Sequence, residues 1–332
     1  MKRATIFSLF ALGLSSAVAT TGQTNAQGEG GLIKVVESGI AHSAFFGLSM
    51  DATRSVAVGI GGAIYQSEDG GQTWEAVAHE ATELALLAVD RGGDHTIAVG
   101  QMGLVMYEES PGKWAKADAG FDGRILSVSV NAAGLAFAGG EFGTVLKSED
   151  GGRSWTPSAP PWTDFEDKET FGTAEPHVYA VHVAENGEVT LAGEYGVILR
   201  SADRGQTWKV LKELKARTPT ISALHIAEPG TGNSYAVGQE GEILTSSDGG
   251  TTWLRCSTNT TANFLGVASK PNGEVVATGF RIMMRSTNGG ITWYPVEEAD
   301  ILTDWYQTAK TDPTSGRIIA VGHSGRIIQI GS

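Results

Sequence analysis

The sequence predicts an all-β fold: a seven-bladed β-propeller of four-stranded antiparallel blades, closed by pairing the N-terminal strand with the last blade. Three observations predict it. The turn Ser67-Glu68-Asp69-Gly70-Gly71-Gln72-Thr73-Trp74 returns in four further copies. An apolar strand ending in Gly-x-x-Gly occurs seven times, most copies about 40–45 residues apart, the length of one blade. The seventh unit stops at Ser332 after its third strand, and an unassigned strand, Leu32–Glu37, stands near the other end of the chain.

From the N-terminus, residues 1–26 read as a signal peptide. Lys2 and Arg3 give the positive start and Ile6 to Leu14 a short apolar core, with cleavage expected after Ala19 or Ala26. The apolar run is shorter than the roughly 20 residues of a membrane span, and no Cys near either site offers a lipid anchor. A periplasmic or secreted chain is therefore expected, with residues 27–332 forming one propeller domain. A formal charge of −13 disfavours nucleic acid as a partner and provides no basic stripe for anionic lipid. Cys256 is the sole cysteine, so no intrachain disulfide forms and stability rests on packing.

The Gly-x-x-Gly strand ends run from Val56–Gly62 and Ile97–Gly103 through Phe137–Gly143, Leu191–Gly196 and Ala236–Gly241 to a shortened Ala277–Ile282 and Ala320–Gly325. Each unit parses as four antiparallel strands; in the fourth they are Val178–Val183, Glu188–Ala192, Val197–Ser201 and Thr207–Leu211. Gly-x-x-Gly joins the second strand to the third, and the Ser-x-Asp turn joins the third to the fourth. The turn is the Asp-box, with structural residues Asp69 and Trp74, Asp150 and Trp155, Asp203 and Trp208, Asp248 and Trp253, and Asn288 and Trp293. Its carboxylate accepts backbone N–H groups of its own turn, glycine reverses the chain at positive φ, and the Trp ring is buried against a neighbouring sheet. A degenerate copy, Tyr107 to Trp114, turns on Ser110-Pro111-Gly112. Pairing Leu32–Glu37 with the last blade closes the ring and removes an exposed edge.

On these motifs the repeats resemble bacterial neuraminidase repeats. The chain from its VG-x-x-G strand ends to its S-x-D-G-G-x-T-W boxes is similar to the photosystem II stability/assembly factor family of seven-bladed propellers. That resemblance implies a non-enzymatic, extracytoplasmic protein, without cofactor, that binds envelope or membrane-protein subunits during assembly of a membrane complex, photosystem-like or transporter-associated. The competing reading is a glycan-binding or glycoside hydrolase (sialidase-like) propeller. Phe280-Arg281-Ile282-Met283 resembles the Phe-Arg-Ile-Pro of sialidases, but it lacks the proline and falls in the sixth blade.

Propeller geometry places all Gly-x-x-Gly turns and blade-to-blade connections on one face. The candidate interaction residues on that face are Glu141, Phe142, Glu194, Tyr195, Glu240, Phe280, Arg281 and His323 from the turns. Beside them come Arg124, His177, Asp304 and Trp305 from the starts of the inner strands. Aromatic, acidic and Arg groups around a channel mouth suit recognition; turns are equally polar where water reaches them. The insertion Thr156–Pro176 lies on the same face and carries Trp162 and the acidic run Asp164–Glu169, with Trp162 either a partner anchor or folded onto the surface. A hydrolase would draw on Glu141, Glu194 or Glu240 with a sugar platform from Tyr195 and Trp305. No His spacing marks a metal site; His182 and His225 share one register of adjacent inner strands and are expected to hydrogen-bond at the channel wall.

Overall fold

The computed structural model describes residues 31–164, 175–212, 218–227 and 232–331. The signal-peptide residues 1–26 and most of the acidic run, 165–169, lie outside the described residues. Twenty-eight strands among them form seven four-stranded antiparallel sheets. Six sheets are consecutive, with inner strands Phe45–Met50, Leu86–Gly92, Ile125–Val130, Val178–Val183, Ile221–His225 and Phe264–Ser269. The seventh combines Tyr306–Thr311, Ile318–Gly322 and Ile327–Ile330 with the N-terminal strand Ile33–Glu37. The closing pair is antiparallel, matching Ile33 with Ile330 and Val35 with Ile328, so the ring closes as the sequence predicts.

The second strands, such as Val189–Gly193 and Ile318–Gly322, are buried at every position, save His95 at the start of the one in the second blade. Stacking blade against blade covers both of their faces, so both must be apolar. Clusters such as Val56, Val58, Leu86, Val89 and Met106 therefore lie between adjacent blades rather than in one central core.

The repeated turns make one hydrogen-bond pattern. In the first, Ser67 Oγ donates to Asp69 Oδ1 (2.8 Å) and accepts the Gly71 N–H (2.9 Å). Asp69 Oδ1 also takes the Thr73 N–H (3.0 Å), and Oδ2 takes the Thr73 hydroxyl (2.7 Å). Trp74 Nε1–H then donates to the Gly71 carbonyl (3.1 Å), a bond repeated by Trp155 and Trp293 but not by Trp208 and Trp253. The hydroxyl of Thr207, with its backbone N–H, holds the equivalent Asp203 carboxyl down to about 2. Asn288 keeps the pattern with its amide donating to Thr292 Oγ1 (2.9 Å). The second blade departs from it: Trp114 lies inside an outer strand, Lys113–Ala117, that follows a tight reversal.

One local expectation needs correction, and one element was not anticipated. Thr156–Pro157 is the outer strand of the third blade, so the insertion begins after it. The connection into the seventh blade holds a short helix, Ala299–Thr303, which buries Ile301.

Candidate functional site: the Gly-x-x-Gly face

The seven turns share one backbone geometry. Their third residue is left-handed in every blade: Gly61, Met102, Phe142, Tyr195, Glu240, Arg281 and Ser324, with φ between 52° and 65°. Bulky residues are uncommon in this region, and such strain persists where the surrounding structure over-determines it. What determines it is a pin to the inner strand. The N–H of the second turn residue donates to the carbonyl just before that strand, as Glu194 does to His177 (3.0 Å) and Phe280 to Asn263 (3.1 Å). The turn tip is thereby aimed outward. Met102 is 70% exposed, Phe142 66% and Phe280 56%, and Ile60, Ile40 and Leu302 are exposed on the same face.

The sequence-predicted residues gather in two clusters. Across the third and fourth blades, the Arg124 guanidinium meets Glu141 Oε1 (Nη2 at 2.5 Å) while the Arg124 N–H donates to Glu141 Oε2 (2.9 Å). Glu194 Oε2 takes the His177 N–H in the same way (2.9 Å), and Phe142 lies 5.0 Å from the His177 ring. The Arg124 side chain and then its backbone N–H hold the Glu141 carboxyl below the usual range. Both glutamates thus fasten turns to inner strands, Glu141 through both carboxylate oxygens and Glu194 through Oε2. Glu240 is exposed, and its N–H donates to Asn263 Oδ1 (3.3 Å).

The second cluster spans blades six, seven and one. Trp305 stacks on Phe280 (centroids 6.1 Å) and on Phe46 (5.9 Å), with the His323 ring edge-on at 6.0 Å. Asp304 Oδ1 lies 3.1 Å from His323 Nδ1, and Asp304 with Asp300 binds Arg326. Tyr195 is half-buried against the fourth-blade core and contributes less surface than its turn position suggests.

Trp162 does not belong with these. Its ring is 3% exposed and packs with Val178 and Val197, and its Nε1–H donates to the Gly143 carbonyl (2.8 Å). Gly143 leaves room for that ring, since a Cβ there would sit 2.6 Å from Trp162 Nε1. The anchor reading of Trp162 is therefore replaced by a structural one. Ile60 and Met102 hold central positions of the turns that the sequence places on this face, whereas Ile40, Leu302 and Phe46 are brought to it only by the structure.

The face opens on a central channel, a cavity of about 120 Å³ lined by all seven inner strands. One tier of the inner strands, of which only Lys310 lines this cavity, shares a register: Ser49, Asp90, Ser129, His182, His225 and Lys310. These side chains stitch blades together. Ser49 Oγ accepts the Arg91 N–H (3.1 Å), Asp90 Oδ2 the Val130 N–H (2.9 Å) and Ser129 Oγ the Val183 N–H (3.1 Å). His225 Nε2 pairs with Ser269 Oγ (2.9 Å). Among the described residues no group of three or more His, Cys, Asp or Glu is arranged to hold a metal ion.

Burial, then the Lys310 charge, lowers both His182 and His225 to about 4, whereas burial raises Asp90. The sign follows from linkage. Folded-state values below the ordinary 6.5 leave stability intact above pH 6.5 and remove it as pH falls towards 4. Asp90 acts in the opposite sense. His182→Gln with His225→Gln should flatten the fall in Tm between pH 6.5 and 4, measured by thermal melts; an unchanged slope would place the pH response elsewhere.

Fold and face together define a class: a closed seven-bladed propeller presenting an apolar, partly strained rim around a narrow channel. The chain belongs to the photosynthesis system II assembly factor YCF48 family, whose model matches residues 106–296. Among solved structures it is similar to YCF48 from Cyanidioschyzon merolae, at 18% identity and a TM-score of 0.71, covering 90% of this chain and 98% of that one. A YCF48 bound to a D1 peptide is similar at 17% identity and a TM-score of 0.68, covering 92% and 98%. The GH74 xyloglucanase of Xanthomonas campestris is similar at 17% identity and a TM-score of 0.65, covering 90% of this chain and 53% of that one. No curated protein matches the chain. At these identities the likeness is one of fold, a fold that carries a hydrolase as well as an assembly factor.

Proposed function

We propose that this chain is an exported, non-catalytic assembly factor whose Gly-x-x-Gly face binds a peptide segment of an envelope membrane-protein subunit, photosystem-like or transporter-associated, while its complex is built. The observation that carries this reading is the rim itself. Met102, Phe142 and Phe280 stand mostly exposed on turns whose third residue is held in the left-handed region. Family membership and a relative bound to a D1 peptide support a membrane-subunit partner. Tying Glu141 and Glu194 into the turns supports a binding role over hydrolysis. The signal-like residues 1–26 support export to the periplasm or beyond.

The test is a pull-down from native membranes with the tagged mature chain. An integral membrane subunit should be captured, and Met102→Ser, Phe142→Ser and Phe280→Ser together should abolish capture while Tm stays within about 2 °C, as expected of exposed positions. Capture of no membrane subunit, together with binding or cleavage on a glycan array, would replace this reading with the glycan one.

A further inference from the structure

The apolar groups of the rim are unevenly arranged, and one sector forms a stair. Phe280 stands at the tip of its turn, Trp305 lies under it with 25° between the planes, and Phe46 lies under Trp305 at 10°. Phe46 itself lines the channel, so the rings descend from the rim to the channel mouth. Beside the top step stands Arg281, exposed and left-handed at φ 52°, its N–H fixed to the Asp304 carbonyl (2.9 Å). Arg124 is committed to Glu141, and Arg326 to Asp300 and Asp304. Among the described residues the Arg281 guanidinium has no ion-pair partner.

We propose that this sector is a subsite for an extended peptide that carries an aromatic or proline side chain next to a carboxylate, either an acidic residue or the end of a chain. The apolar ring seats on the Phe280–Trp305–Phe46 stair, and the carboxylate pairs with Arg281. This rests on the reading that the face binds a membrane-protein segment, and it adds which part of the face does so and which chemistry it selects. Stacked rings offer a planar apolar group a surface with little conformational entropy left to lose. A guanidinium is a fork for carboxylate, its two bonds charge-assisted and directional. On a chain of net charge −13, an unpaired exposed Arg held on a strained turn is the local exception that admits an acidic group. The pinned, left-handed backbone fixes where the Arg281 side chain leaves the turn, next to the stair.

The test uses the full chain with p-benzoylphenylalanine replacing Phe280, Phe142 or, on the opposite face, Gln72, irradiated with detergent-solubilised native membranes. The crosslinked segment is identified by mass spectrometry. Phe280 should capture at least about tenfold more than Gln72, and the segment should hold an aromatic or proline within a few residues of a carboxylate. A synthetic copy of that segment should bind about tenfold more weakly to Phe280→Ala and to Arg281→Gln, a loss of about 1.4 kcal/mol each. Arg281→Lys should lose less, and amidating the carboxylate should abolish the difference between Arg281 and Arg281→Gln. Capture from Phe142 alone, or a segment without a carboxylate, overturns the subsite and leaves the proposed function standing. No capture from either face position removes both, and capture of a second copy of this chain makes the sector a self-interface and overturns the subsite.

Discussion

Glu108→Gln will destabilise the protein by about 3–5 kcal/mol, the range for removing one partner of a buried ion pair. The second blade lacks the Ser-x-Asp turn, and Glu108 stands in the register of Ser67, taking the Gly112 N–H as Ser67 takes that of Gly71. Glu108 Oε1 accepts the Gly112 N–H (2.7 Å) and an Arg54 Nη1–H (2.9 Å), and Arg54 Nη2 pairs with Oε2. The Glu108 side chain is 5% exposed. Arg54 comes from the first blade, so this pair also joins neighbouring blades at the face opposite the rim. Burial pushes the Glu108 carboxyl up, and Arg54 with the Gly112 N–H more than reverses it. An amide keeps the shape and one acceptor but strands the Arg54 charge. Arg91 retains Asp51 (2.8 Å) and is affected less. Denaturant unfolding should give a large fall in midpoint with an unchanged slope. Replacing both partners, Glu108→Leu with Arg54→Leu, should recover most of the loss, because no charge is then left unpaired. A single-variant loss below about 1 kcal/mol would mean that water enters the site and the pair is a surface one.

That ion pair marks the limit of what the sequence makes legible. A blade contacts only its neighbours, so its specification is local and repeats with the chain. The strand ends, the Ser-x-Asp turns and the closing strand Ile33–Glu37 could all be read from spacing. Side chains that act between blades could not be. Glu108 and Arg54 lie 54 positions apart with no shared motif. Trp162 is aromatic in a proline-containing loop on either reading, and only its distance to the Gly143 carbonyl decides that it is buried. His182 and His225 were legible as one register, but Asp90 and Lys310 complete that tier only when all seven inner strands are aligned. The helix Ala299–Thr303 is too short to show a helical period. On the face, the turn positions were legible but their exposure was not, because it depends on how each blade-to-blade connection crosses the rim. Tyr195 and Phe142 occupy equivalent positions, yet one is half-buried and the other 66% exposed.

Gly238→Ala will cost about 3 kcal/mol or more, whereas Gly61→Ala, in the same motif, will cost about 1 kcal/mol. The two glycines are present for different physical reasons. A Cβ on Gly238 would lie 1.8 Å from the Thr220 carbonyl oxygen, the acceptor of the Gln239 N–H (3.0 Å) that pins the turn. Overpacking against backbone cannot be relieved by a rotamer, so either the pin breaks or the inner strand shifts. The same approach recurs at Gly59, Gly100, Gly193, Gly279 and Gly322, each within 2.0 to 2.2 Å of the corresponding carbonyl oxygen. Gly61 meets nothing within 4 Å and has φ +65°, so alanine there meets only the intrinsic cost of the left-handed region. That cost is already carried by Met102, Phe142 and Arg281 in other blades. Phe142→Gly should therefore raise stability by about 1 kcal/mol while weakening partner capture, because the exposed ring contributes to the rim and not to the core. Thermal and denaturant melts of the three variants separate the cases. Equal losses for Gly238→Ala and Gly61→Ala would mean that φ, and not the close approach of two strands, sets the first glycine of the motif. A Phe142→Gly variant that is destabilised would show that the ring packs, and would remove Phe142 from the binding face.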